Sequence, residues 1–174
     1  MIRLLAPLLL CLSPAAQAQE VFGGILAHGV DTPLTFDTGE GGTDLQAGVR
    51  LALVARIGAA TLQPYAFGSL NTAGDTSFVA AGVALKVPVG RWFLRPGIGI
   101  AIHDGPSTRI DPRTNVYTDL GSRVLFEPEL GIGTAIAPRV TAELTWTHLS
   151  HAQLFGPQNP GLDMIGARLA VALR

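Results

Sequence analysis

The chain has 174 residues, a net charge of −1 and 14% charged residues, against ~25% in ordinary soluble domains. Balanced charge gives no electrostatic footing for nucleic acid. Positive mean hydropathy and 21 glycines, with no apolar run of ~20 residues beyond the N-terminal segment, exclude a transmembrane helix and point instead to a closed transmembrane β-barrel.

Met1-Ile2-Arg3 precedes an apolar run from Leu4 to Leu12, and Ser13 to Ala18 supplies small residues up to Gln19. A short basic start, an apolar core too short to span a bilayer and a small-x-small ending read as a secretory signal peptide cut after Ala18. The chain thus divides into a signal peptide over 1–18 and an outer-membrane β-barrel over 19–174. Cys11, the only cysteine, falls in the removed part, and the bulky Leu10 and Leu12 beside it argue against a lipoprotein cleavage site. The exported part has no disulfide, thiol nucleophile or Cys metal ligand.

Eight antiparallel strands are expected, over 20–30, 43–56, 61–71, 76–87, 91–103, 122–136, 139–150 and 162–174. Most reach the ~9–11 residues that a tilted membrane strand needs. In the second, Leu45, Ala47, Val49, Leu51, Leu53 and Ala55 lie opposite Gln46, Arg50 and Arg56. In the fifth, Trp92, Leu94, Pro96, Ile98, Ile100 and Ile102 lie opposite Arg95 and His103. In the third, Tyr65 and Phe67 compete with Leu62, Ala66 and Leu70 for the outward register, so its orientation stays open.

Connections near Gly58-Ala59, Pro88-Val89-Gly90 and Ala137-Pro138 are tight, whereas 31–42, 104–121 and 151–161 are long and rich in Gly, Pro, Asp and Asn. Short periplasmic turns and longer external loops are the usual barrel arrangement. Arg50, Arg56, Lys86, Arg95, Arg123 and Arg168 are expected inward, facing Glu127, Glu129 and Glu143. Side chains fill so small a barrel, so these should form a paired polar core. The alternative, Glu127 and Glu129 as catalytic carboxylates, needs an aqueous cavity. His28 and His103 are expected as inward or loop-proximal polar residues, and four histidines without a ligand spacing do not define a metal site.

The tail carries the chemistry. From Val140 to Ser150 the even positions are mostly apolar and the odd ones mostly polar, which places His148 and Ser150 on the face of Val140, Ala142, Leu144 and Trp146. Alternate residues on one face lie about 6.5–7 Å apart, a gap an imidazole can span to reach a serine hydroxyl as general base. Asp163 has the parity of Ile165, Leu169 and Val171, so it is expected on the same outer face, where it can orient the imidazole. If that face meets lipid, the pair suits a substrate that is part of the membrane. The alternative is a histidine and a serine at the polar rim of a barrel strand.

His148-Leu149-Ser150-His151-Ala152, a short loop and then Asn159-Pro160-Gly161-Leu162-Asp163-x-x-Gly166 resemble the C-terminal signature of the lipid A 3-O-deacylase family of small eight-stranded outer-membrane barrels. The resemblance implies Ser150 as nucleophile, His148 as base, Asp163 as orienting acid and Asn159 as an oxyanion donor, a contribution of about 3–4 kcal/mol to the transition state. Gly161 either permits a close approach of its loop to substrate or is a turn glycine. Trp146, His151 and Gly161 are the expected substrate contacts. The chain departs from the family in having His151 where Asn commonly follows the serine, Asp163 where some members have Glu, and a terminal Arg174 in place of an aromatic.

Two functions follow as expectations. One is an outer-membrane serine esterase that removes a 3-O-linked acyl chain from lipid A or a similar glycolipid, without cofactor or metal; an acyltransferase would use the same nucleophile. Arg109 and Arg113 would meet substrate phosphates or remain solvated loop charges. The other is a non-catalytic structural or adhesive barrel that retains the family tail. Association as a homodimer is left open.

Overall fold

The computed structural model describes residues 18–35, 37–105, 109–110, 117–154 and 159–173. The signal peptide, apart from Ala18, lies outside them, as do Arg113, the side chain of Arg109 and Arg174.

Strand β1 spans Ala18–His28, β2 Thr43–Leu51, β3 Ala55–Ile57, β4 Ala60–Asn71, β5 Phe78–Val89 and β6 Trp92–His103. A short antiparallel pair, β7 (Arg109–Ile110) and β8 (Tyr117–Thr118), lies in the second long connection. Strands β9 (Val124–Ala137), β10 (Val140–Leu149) and β11 (Leu162–Ala172) complete the chain. The large sheet runs β2-β1-β11-β10-β9-β6-β5-β4-β3, and the pairing of β2 with β4 closes it. With β2 and β3 as two pieces of one stave, this is a closed eight-stranded antiparallel barrel. Closure satisfies the backbone of every stave without leaving an edge, which a bilayer demands.

The period-2 pattern sorts side chains between two solvents. Val79, Ile98, Ile100, Ile102, Leu130, Leu144 and Leu169 are exposed on the outer wall, where a soluble protein would be penalised and a membrane protein is not. Inside, Arg50 holds Glu143 through two bonds of 2.9 and 2.6 Å, and Glu20 at 3.1 Å. Arg168 bonds Glu129 at 2.7 Å and Gln46 at 2.8 Å. The guanidinium groups of Arg50 and Arg168 both pack on the Phe22 ring. Ion pairs and arginine–aromatic stacking thus fill the lumen, compensating charges that are withdrawn from bulk water.

The open register of the third expected strand is settled in β4. Tyr65 and Phe67 are buried inside, and Ala66 and Leu70 face out. The Tyr65 hydroxyl donates to the Glu127 carboxylate, a partner available only in the lumen, and Phe67 packs edge-on against Phe78.

Two of the six expected inward cations are corrected. Arg56 is exposed. Arg50 opposes Tyr65 while Ala55 opposes Leu62, so the second stave carries two extra residues between them, and Arg56 emerges at the short-turn rim beyond the packed lumen. Arg123 is also exposed. It precedes β9 and donates to the Gly105 carbonyl at 2.8 Å, tying down the start of the second long loop instead of entering the barrel. Lys86 is half-buried and inward, 3.8 Å from Glu20 and over the Phe93 ring.

Candidate active site

The site is built on the hairpin of β10 and β11. On β10, Glu143, Thr145, Thr147 and Leu149 face the lumen, while Ala142, Leu144, Trp146 and His148 face out. Ser150 extends the same ladder by one bridge to Phe126, with backbone bonds of 2.7 and 3.1 Å. It therefore keeps the outward parity of His148. On β11, Leu162, Met164 and Arg168 point inward, and the parity of Asp163 is that of Ile165, Ala167 and Leu169 outside.

His148 and Asp163 are directly opposed across the β10–β11 ladder. His148 Nδ1 lies 2.6 Å from Asp163 Oδ1, a charge-assisted hydrogen bond in which the imidazole N–H donates. Direct opposition explains why the shorter acid reaches. The ladder brings the two Cα atoms to about 4.5–5.5 Å, leaving no gap for an extra methylene to bridge. With Nδ1 committed as donor, the neutral ring presents Nε2 as a lone-pair acceptor. Trp146 stacks on the imidazole, ring centroids 5.8 Å apart and planes 24° from parallel, which restricts the ring's rotation.

Although both residues belong to the outer face, His148 is only 7% exposed and Asp163 fully buried. Cover comes from the first long loop, through Val30, Thr32 and Leu34, which the sequence did not associate with the site. The Thr32 hydroxyl donates to Asp163 Oδ2, and the Val30 amide donates to the Asp163 carbonyl at 3.0 Å. From the other side Gly161 closes on the ring. Its φ is +69°, and a Cβ there would lie 2.9 Å from His148 Cε1 and 3.0 Å from the Leu34 carbonyl oxygen. Gly161 is thus required both for its left-handed conformation and for the absence of a side chain.

Asn159 is half-buried, and its Oδ1 accepts the His151 amide at 3.0 Å. Engagement of that oxygen leaves the NH2 as the donor end of the side chain. His151 itself is fully buried, so its ring is not part of the exposed outer surface. His28 and His103 lie inside the barrel, His28 between Asp44 and Glu40 at 2.9 Å each, and His103 against the Ser122 carbonyl at 2.6 Å.

A buried acid, an imidazole held in one tautomer and a serine on the same outward face can support acyl transfer from an ester. Residues 28–172 match the sequence profile of the lipid A 3-O-deacylase (PagL) family. The chain belongs to that family. Membership makes it an ester hydrolase of the lipid A 3-O-deacylase class and a barrel of the bacterial outer membrane. Among solved structures, the outer membrane enzyme PagL superposes with a TM-score of 0.63 at 18% identity, over 88% of this chain and 99% of that one. Neisserial surface protein A superposes with a TM-score of 0.53 at 10% identity, over 91% and 99%. At such identities the likeness is one of fold. No curated protein is significantly similar to the chain. The deacylase family match extends well beyond the tail that carries the signature, reaching back to the last residue of β1.

Proposed function

We propose that this family member cleaves the 3-O-linked acyl chain of lipid A, or of a similar outer-leaflet glycolipid, with Ser150 as nucleophile, His148 as general base and Asp163 as the acid that orients it. The single observation that carries this reading is the 2.6 Å contact of His148 Nδ1 with Asp163 Oδ1 on the lipid-facing side of the barrel. In the first half-reaction Ser150 Oγ attacks the ester carbonyl and its proton passes to His148 Nε2. The resulting oxyanion is held by a donor, the role assigned to the Asn159 amide. Collapse breaks the bond to the sugar oxygen, which takes the proton from His148, and leaves an acyl-serine. Water then attacks with His148 again as base, releasing the fatty acid and free Ser150.

The outer wall below the site suits the acyl chain. Gly23, Ala142 and Ala167 form a shallow floor flanked by Ile25, Leu144 and Leu169. Leu144 lies four residues from His148, about 13 Å along the strand at ~3.3 Å per residue. That distance is of the order of half the ~30 Å hydrocarbon core, the reach of one leaflet. In this reading the chain is exported by the 1–18 signal peptide, and one copy suffices for the chemistry; a homodimer would have to leave this wall open.

The test is mass spectrometry of lipid A after incubation with purified, refolded protein, with Ser150→Ala and His148→Ala in parallel. Loss of one hydroxyacyl mass with the wild type, reduced by about 10³-fold or more in both variants, is the expected outcome. Equal activity in either variant would reject the assigned nucleophile or base. Transfer of the acyl group to an added acceptor in preference to water would favour the acyltransferase. A folded barrel without activity on any ester lipid would favour the non-catalytic one.

A further inference from the structure

The first long loop contributes a hydroxyl that none of the family signature contains. We propose that Thr32 is a positioning residue of the reaction, holding the Asp163 carboxylate in the plane that serves His148; this rests on the triad reading above.

Both oxygens of Asp163 are engaged from opposite sides. Oδ1 takes the His148 N–H, and Oδ2 takes the Thr32 hydroxyl. The direction of the second bond follows from the hydroxyl's own inventory. Thr32 Oγ1 already accepts the Leu34 amide at 3.0 Å, so its single proton is free to go to the carboxylate. Asp163 is fully buried, so without that donor Oδ2 has no water to replace it. An aspartate has two rotatable side-chain bonds, and anchoring one oxygen leaves the other pointing at Nδ1.

The loop is shaped to deliver this hydroxyl. Thr32-Pro33-Leu34-Thr35 forms a turn closed by the Thr35 amide on the Thr32 carbonyl at 3.2 Å, and by the Thr32 amide on Thr35 Oγ1 at 3.1 Å. Pro33 supplies the fixed φ suited to the second turn position. The turn is held to β11 by the Val30 amide on the Asp163 carbonyl, and the Leu34 carbonyl rests against Gly161. The far end of the loop is anchored separately, by Glu40 on His28 at 2.9 Å and on the Thr76 hydroxyl at 2.8 Å. A loop tied at both ends presents the hydroxyl without paying entropy in each catalytic cycle.

Thr32→Val keeps the shape and removes the hydroxyl, and Thr32→Ser keeps the hydroxyl. Each is assayed for release of 3-hydroxy fatty acid from lipid A and for the rate at which a fluorophosphonate labels Ser150, a reaction that reads nucleophile activation without the lipid. Thr32→Val should lower kcat by about 10- to 100-fold, the worth of one hydrogen bond to a buried charge, with KM within about twofold. Labelling should slow in proportion, and Thr32→Ser should restore both. Thr32→Ala replaces Thr32→Val if the latter does not fold, as read from the heat-dependent gel mobility of the barrel. A normal kcat in the hydroxyl-free variant, a change confined to KM, or failure of Thr32→Ser to restore activity overturns the proposal while leaving the triad intact. Retained activity in Ser150→Ala or His148→Ala removes the triad and this proposal together, which separates the two failures.

Discussion

At the scale of single residues the proposed chemistry depends on how tightly one imidazole is held. His148 is fixed by Asp163 on Nδ1, by Trp146 on its face and by Gly161 at Cε1. Asp163→Asn keeps the shape but reverses the preference for which ring nitrogen carries the proton. By analogy with the same change in a serine-protease triad, kcat should fall by about 10³–10⁴-fold while the barrel still folds, as measured by acyl release beside circular dichroism. Gly161→Ala should act by a different route. A Cβ at φ +69° costs about 1–2 kcal/mol and would displace the ring or the Leu34 carbonyl, so thermal stability falls modestly and kcat falls more. His151 and Asn159 show how neighbouring polar residues divide labour. The buried histidine's backbone amide holds the asparagine oxygen, which turns the NH2 into the available donor. The outward parity of His148, Ser150 and Asp163 was legible in the tail of the chain; that His151 is buried was not, because nothing local distinguishes it from a histidine open to lipid.

At the scale of elements, the hairpin of β10 and β11 has two faces with separate tasks. Its outer face carries the site, and its inner face carries Glu143, Thr145, Thr147 and Arg168. Arg168 connects this hairpin to β9 through Glu129 and to β2 through Gln46. Arg168→Ala leaves the Glu129 carboxylate buried without its cation. We expect a loss of about 3–5 kcal/mol in urea unfolding from bilayers, with acyl release per folded molecule unchanged because the residue faces away from His148. Alternation made most strands readable, and the expected bounds fall within two or three residues of the observed ends, apart from the break that divides β2 from β3. It could not orient β4, where aromatic and aliphatic residues sit on both faces. There the polar end of Tyr65 decided, by finding Glu127 inside. Nor could it place Arg56 or Arg123, whose parity or charge suggested the lumen but whose positions at the ends of staves put them past its rim.

For the whole molecule, the governing fact is that the barrel is inside out relative to a soluble protein, with its ion pairs within and its apolar residues outside. Ile98, 52% exposed in the middle of β6, tests this directly. Ile98→Arg should cost about 2–4 kcal/mol of folding into lipid vesicles, whereas Leu154→Arg, 66% exposed but in the third long loop, should be neutral in the same titration. Under the proposed function the same inversion lets a hydrolase work from its outer wall: the acyl chain already lies in the solvent that this wall faces, and only the polar dyad has to be sheltered from it. Composition, the absence of a long apolar run and the period-2 pattern were enough to determine the barrel, its eight staves and the outward parity of His148, Ser150 and Asp163, because strand pleat and transfer to lipid are properties each residue carries locally. What the tertiary structure alone decided is the shelter. Thr32 and Asp163 are separated by 131 positions, and they meet only because β1 pairs with β11 as the barrel closes and brings the first loop over the last hairpin. No local periodicity records a contact that closure creates.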